Sequence, residues 1–225
     1  MSPLAAVALA REQGVSTIVH VSCRDRNRLA LRSQILGAAA LGSEGVLCLY
    51  GDPVGETPRV KDMTATELIS AAKQWAEPHD LAVGAVVNPF AVDQDRELRL
   101  LERKVLAGAE YVQSQMVFDV DVLAAFLERA ADLLDGVRFY AGVALLRDEQ
   151  MANRARRLPG TLLSDAAVRR IAAGGGIEFA HELALQLAEM PAVDALHIFP
   201  LGAEAATRPI AAAFRTARGA GARTP

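Results

Sequence analysis

Apolar runs in this sequence end in groups that can hydrogen-bond or titrate: His20 with Ser22, Asp52, Asn88, Gln115, Arg147, and His197 near Phe199. Asp52 poses the question most sharply. It follows the run VLCLY (46–50), where Gly51 lets the backbone turn and Pro53, with no N–H to donate, stops the strand. A lone aspartate in such a place can simply start a turn. When nearly every apolar run ends in a polar group, convergence on one face is the better reading, and that face would be a polar ligand site. Asp52 is therefore assigned to a site rather than to a turn. The other candidates have plainer readings beside the functional one. His20 could be a satisfied core histidine, and Asn88-Pro89 an ordinary turn starter. Gln115 could tie down a loop carbonyl, although a buried primary amide is costly unless paired. Arg103 and Lys104 sit in a charged helix, where residue chemistry alone leaves a solvated face and a binding role both open. His79 and His181 read as surface residues.

The elements that must carry these groups are legible from periodicity. Six β-branched, apolar runs read as strands: 16–23, 45–52, 81–89, 110–118, 136–146 and 193–201. Between them lie helical patterns. Residues 27–41 place Leu29, Ile35 or Leu36, and Ala39 or Ala40 on one face with arginines opposite. Residues 64–76 open on Thr64 with Glu67 three positions on, a capping-box signature. Residues 93–107 and 120–134 repeat the amphipathic pattern. Strand and helix alternate at roughly thirty residues, the mark of βαβ units and a parallel sheet. The interval 147–192 is longer and holds two or three helical stretches, broken at Leu158-Pro159-Gly160 and at Gly174-Gly175-Gly176. The glycine triplet lacks a following Lys-Ser/Thr and is read as a break between helices, not a phosphate loop. The expected fold is an α/β, (β/α)8 TIM-type barrel lacking its first one or two βα units, in which catalytic groups sit at the C-terminal strand ends. Residues 1–214 form one incomplete barrel domain in this reading, and 215–225 a flexible tail.

Composition sets the outer bounds. Of the 225 residues, 52% are hydrophobic and 23% charged, which predicts a buried core and argues against disorder. A net charge of −3 gives no general attraction to nucleic acid or anionic lipid. The two cysteines, Cys23 and Cys48, lack metal-ligand spacing and read as buried thiols of a reducing compartment. No stretch approaches the ~20 apolar residues of a membrane span and no secretion signal is visible, so a cytoplasmic location with no membrane partner is expected.

Several blocks together resemble methylenetetrahydrofolate reductases, especially those fused to homocysteine methyltransferases: HVSCRDRNRLALRSQILGAAALG (20–42), LYGDP (49–53), NPFAVDQDREL (88–98), ERKVLAGAEYVQSQMVFD (102–119) and PG (159–160). The resemblance implies an oxidoreductase of one-carbon and methionine metabolism. It would be a flavoprotein with FAD at the C-terminal strand ends of a barrel. NADH or NADPH would provide the hydride that converts 5,10-methylenetetrahydrofolate to 5-methyltetrahydrofolate. By position, His20 would contact the flavin, Tyr50, Gly51 and Asp52 would approach its ring, and Asn88 would join the cofactor site. Arg103 and Lys104 would hold the phosphates. Gln115 would hydrogen-bond the pterin, and Asp52 would bias the flavin's electronics. No metal is implied.

Departures from the family bear on the substrate side. Members begin about sixty residues earlier, with two βα units that bring a general-acid glutamate and a flavin-contacting threonine. The family's Pro-rich strand is Ala141-Gly142-Val143-Ala144-Leu145 here, Glu149 stands where an aromatic or leucine packs, and Ala203 where some members have an arginine. A missing N-terminal partner segment, or association into a homo-oligomer across the barrel break, is expected. The alternative to the reductase is a non-catalytic flavin- or folate-binding paralogue or subunit that has lost the acid. A third reading is a pterin-binding barrel for methyl transfer without flavin.

Overall fold

The computed structural model describes residues 1–51 and 60–221. In chain order the elements are α1 (Pro3–Glu12), β1 (Ile18–Ser22), α2 (Arg28–Ala40), β2 (Gly45–Leu49), α3 (Ala65–Ala76), β3 (Ala82–Val87), α4 (Gln94–Leu106), β4 (Tyr111–Met116), α5 (Val120–Arg129), β5 (Arg138–Ala144), α6 (Glu149–Arg156), α7 (Asp165–Arg170), α8 (Gly176–Ala188), β6 (Ala195–Phe199) and α9 (Glu204–Gly221). The strands lie in one sheet in the order β1-β2-β3-β4-β5-β6. Pairing is parallel: Ile18 stands opposite Gly45, Gly45 opposite Ala82, and Tyr140 opposite Ala195. Sequential parallel strands alternating with helices are the α/β order of a TIM-type barrel. Among the described residues no helix is long and apolar enough to cross a membrane.

The chain forms two compact units, Met1–Val86 with Arg99–Val112, and Val87–Leu98 with Gln113–Pro225. In the first, helix starts follow the expected chemistry. Asn27 caps α2 by accepting from Ala30 N at 2.9 Å. Thr64 and Glu67 close the capping box at α3: Glu67 N donates to Thr64 Oγ1 (3.2 Å) and Thr64 N to Glu67 Oε2 (2.7 Å). That backbone N–H holds the Glu67 carboxyl below its ordinary range. The buried stripe of α2 differs from the expected one. Leu31, Ile35 and Ala38, spaced four and three apart, face the core, while Leu29 is exposed. Leu29 lies in the first turn, where a shift of two positions rotates a side chain by more than half a circle.

In the second unit, α6, α7 and α8 fill the long interval. Gly174 at φ +90° breaks the run between α7 and α8. Gly176 then packs so tightly that a Cβ would lie 1.8 Å from Leu146 O. Helix α9 runs on through the first residues of the stretch 215–225 that the sequence assigned to a tail, ending at Gly221. Buried Phe214 anchors it, with the Arg218 guanidinium 5.8 Å from the Phe214 ring and donating to Met190 O at 3.4 Å.

Gly84 of β3 is a packing constraint inside the first unit. A Cβ there would stand 2.1 Å from the Tyr111 ring, and Tyr111 is fully buried. Gly84→Ala should therefore lower stability by about 1–3 kcal/mol, the usual cost of overpacking. Urea unfolding would measure it, and Tyr111→Leu in the same chain should recover part of the loss.

Candidate functional site

In the first unit the sheet presents one row of residues on a common face. His20 of β1 is opposite Leu47 of β2, which is opposite Gly84 of β3, and Ser22 is opposite Leu49. Strand β1 alternates: Val19 and Val21 are buried, while His20 faces outward. The apolar run around His20 thus belongs to the other face of the strand. Desolvation by its surroundings lowers the His20 pKa.

Beyond the last register pair the strand ends are tied by side chains. Tyr50 O accepts from Ser22 Oγ (2.8 Å) and from Arg24 N (2.9 Å). Ser22 O accepts from Arg26 Nη1 at 2.8 Å. Gly51 adopts φ +89°, and a Cβ on it would lie 2.1 Å from Ser22 Oγ. Both facts require glycine, because the space a Cβ would take is filled by Ser22. Tyr50 is 39% exposed, with the Arg24 guanidinium 5.5 Å from its ring centre. Asp52, the residue that raised the question of a site, lies outside the described residues.

Lys104 and Arg103 part company. Lys104 is buried and its Nζ donates to Val86 O at 2.7 Å, at the C-terminal end of β3. Arg103 is exposed, because neighbours on a helix diverge by a third of a turn. Cys23 and Cys48 are free, buried thiols. Burial pushes the Cys48 pKa up to about 12 and raises that of Cys23, which keeps both protonated at neutral pH. Among the described residues no cluster of three His, Cys, Asp or Glu side chains could hold a metal.

In the second unit Asn88 and Gln115 are half-buried and locally bonded. Asn88 Oδ1 accepts from Phe90 N (3.1 Å), and its own N–H donates to Glu97 Oε1 (3.0 Å). The turn-starting role is therefore real. The amide is also backed by Gly160 at φ +70°, where a Cβ would fall 1.8 Å from Asn88 Nδ2. Gln115 Oε1 accepts from Met116 N at 2.9 Å, and the NH2 is the donor end of the same amide. Ser114 Oγ donates to Gln115 O (2.7 Å) and accepts from Gly142 N (2.9 Å), bracing that stretch of β4. His197 is opposite Gly142 and meets Phe199 edge-on, with ring centres 4.4 Å apart. Arg147 is exposed, and His79 and His181 are exposed and half-buried respectively. Sequence reasoning missed Arg24. It lies two residues past the end of β1, outside the alternation that aligns His20 with Ser22.

Two outcomes follow from this geometry. Gly51→Ala should cost on the order of 1–3 kcal/mol through positive φ and contact with Ser22, and Ser22→Gly should relieve part of it; equilibrium unfolding of the single and double variants would show this. His20 should also make stability pH-dependent. Its folded pKa is below the ordinary value near 6.5, so the unfolded chain binds more protons as pH falls through that value, and stability declines. The fitted slope between pH 7 and pH 5 should flatten in His20→Gln.

Comparison with known proteins gives these units a family. The methylenetetrahydrofolate reductase family matches residues 1–214. Methylenetetrahydrofolate reductase 1 of Schizosaccharomyces pombe is 23% identical over 136 residues, covering 57% of this chain and 23% of that protein. The 5,10-methylenetetrahydrofolate reductase of Salmonella typhimurium is 28% identical over 144 residues, 63% of this chain and 48% of that one. The chain thus spans half or less of the length of these curated relatives. Among solved structures, a Clostridium thermocellum protein that binds two copies of 5-methyl-5,6,7,8-tetrahydrofolic acid superposes with a TM-score of 0.66 at 12% identity, covering 92% of this chain and 75% of its own. A 2,3-dimethylmalate lyase superposes with a TM-score of 0.54 at 14% identity, covering 98% and 66%. These two likenesses speak for the fold. The match across residues 1–214 speaks for descent: the chain belongs to the methylenetetrahydrofolate reductase family.

Proposed function

We propose that this chain carries the flavin- and folate-binding part of a reductase that converts 5,10-methylenetetrahydrofolate to 5-methyltetrahydrofolate with NADH or NADPH. One observation carries the reading. A member of this family over residues 1–214 keeps, where β2 ends, a glycine whose bare backbone is backed by Ser22. A planar cofactor ring can approach main chain that carries no side chain of its own. The residues present fit FAD. Tyr50 precedes that glycine with a partly exposed ring, His20 stands on β1 two residues before Ser22, and Asp52 follows the glycine directly in the chain. Lys104 brings an ammonium to the end of β3, where a cation suits the phosphates. Arg103, exposed on the next helical position, has no such support.

Bound flavin would supply the two-electron relay between the nicotinamide and the folate. The chain's own residues bind and orient. Asn88 joins the cofactor-binding set, its amide held by its own turn and by Gly160. Gln115, its Oε1 engaged by Met116 N, would offer its NH2 to a pterin acceptor. Asp52 would place a carboxylate that tunes the ring and meets the pterin. A folate-binding module without redox chemistry is the second reading, favoured by the fold likeness to the Clostridium thermocellum protein.

The purified chain should take up FAD, show an oxidised-flavin spectrum, and bleach with NADH or NADPH. A folded chain that takes up no flavin but binds methyltetrahydrofolate would establish the second reading instead. Gln115→Ala should keep its flavin and lose about tenfold in kcat/KM for the folate, the worth of one hydrogen bond, while Asp52→Asn slows flavin reduction. Full turnover in both variants would remove these residues from the site.

A further inference from the structure

Arg24 is a charged residue that the roles above leave unused. It is 8% exposed, although guanidinium groups are almost never buried without a partner. Among the described residues it pairs with Asp25, with Oδ2 3.7 Å from Nε, and the Asp25 side chain is 36% exposed. That distance is too long for a hydrogen bond, and the pair is weakened by water on the aspartate side. No hydrogen bond runs from the Arg24 guanidinium to the described residues, where five N–H donors are available. What the residue does touch is the chain just past the end of β2. The guanidinium lies over Tyr50, the Arg24 N–H holds Tyr50 O, and Arg24 Cβ would be 3.5 Å from a Cβ on Gly51.

The backbone shows the same bias. Asp25 takes φ +58°, which is uncommon for a residue with a side chain, and its N–H bonds Val60 O at 3.3 Å. The turn after β1 is thus bent where Arg24 leaves the strand and meets Tyr50. A desolvated cation with its counter-ion in water costs stability where it stands. Such a cost is sensible where the charge acts on something that binds beside it.

We infer that Arg24 is a charge-supplying and positioning residue for the cofactor: it holds Tyr50 and Gly51 at the ring-binding edge and makes that edge electropositive, so that the reduced, negatively charged form of the bound ring is favoured over the oxidised one. The inference rests on the flavin reading above and names a residue outside it. A positive charge beside a flavin shifts its electronics because reduction adds negative charge to the ring. A cation in a dry place acts more strongly than one in water.

The test is the midpoint potential of FAD bound to the whole chain, measured spectroelectrochemically, together with the dissociation constant for oxidised FAD. Arg24→Met and Arg24→Gln remove the charge, and Arg24→Lys keeps it while losing the planar group over Tyr50. Both neutral variants should favour the reduced form about tenfold less, a potential about 30 mV lower for a two-electron couple; Arg24→Lys should retain most of the wild-type potential and bind FAD more weakly. A merely structural role would weaken both oxidation states alike and leave the potential unmoved. An unmoved potential in flavin-loaded variants overturns the inference and leaves the flavin reading intact. A folded wild-type chain that takes up no FAD overturns both. If both neutral variants fail to fold, the charge serves stability and the inference is wrong.

Discussion

A parallel ladder runs out of N–H donors at the C-terminal ends of its strands, and a buried carbonyl left there is costly. Most of what is distinctive in this chain answers that constraint. Tyr50 O takes Ser22 Oγ and Arg24 N, Ser22 O takes Arg26, Val86 O takes Lys104, and Gln115 O takes Ser114 Oγ. Apart from Arg24 N, the donors are side chains of strands, of the loop after β1 and of one helix, so satisfying the backbone also fixes where these polar groups stand. Two of them, Arg26 and Lys104, bring positive charge to carbonyl ends within the first unit.

Three glycines show how closely the same regions are packed. Gly84 makes room for the Tyr111 ring, Gly51 for Ser22, and Gly160 for the Asn88 amide. Gly84 has an ordinary backbone and is required by space alone. Gly51 and Gly160 have positive φ as well, so each is held by conformation and contact together. Where the backbone must bend and a polar side chain must approach it, a Cβ serves neither need.

These features give the family assignment a physical content. Membership over residues 1–214 identifies the lineage, while the fold alone is shared with a lyase of different chemistry. The proposed site rests on the side chains at the strand ends: an outward imidazole at His20, an exposed ring at Tyr50, a glycine beside it, and cations bonded to strand-end carbonyls. In the second unit the amides of Asn88 and Gln115 have one end tied locally, which orients them at little entropic cost.

The sequence by itself determined the strand and helix order, because apolar period and capping chemistry are local. Thr64 and Glu67 close their box as read, and the glycine triplet breaks the helix through Gly174. The end of β2 was also legible, since the apolar run gives way there to Gly51 and, in sequence, to Pro53, which cannot donate. Only the tertiary structure decided which way particular side chains point. The buried stripe of α2 shifted from Leu29 to Leu31, and α9 carried on to Gly221, because a helix's rotation and length depend on the neighbours that bury it. For the same reason Lys104 turned inward to Val86 while Arg103 faced water. Arg24 was hidden among charged residues until the bend at Asp25 laid it over Tyr50, a contact between strands that no local pattern encodes.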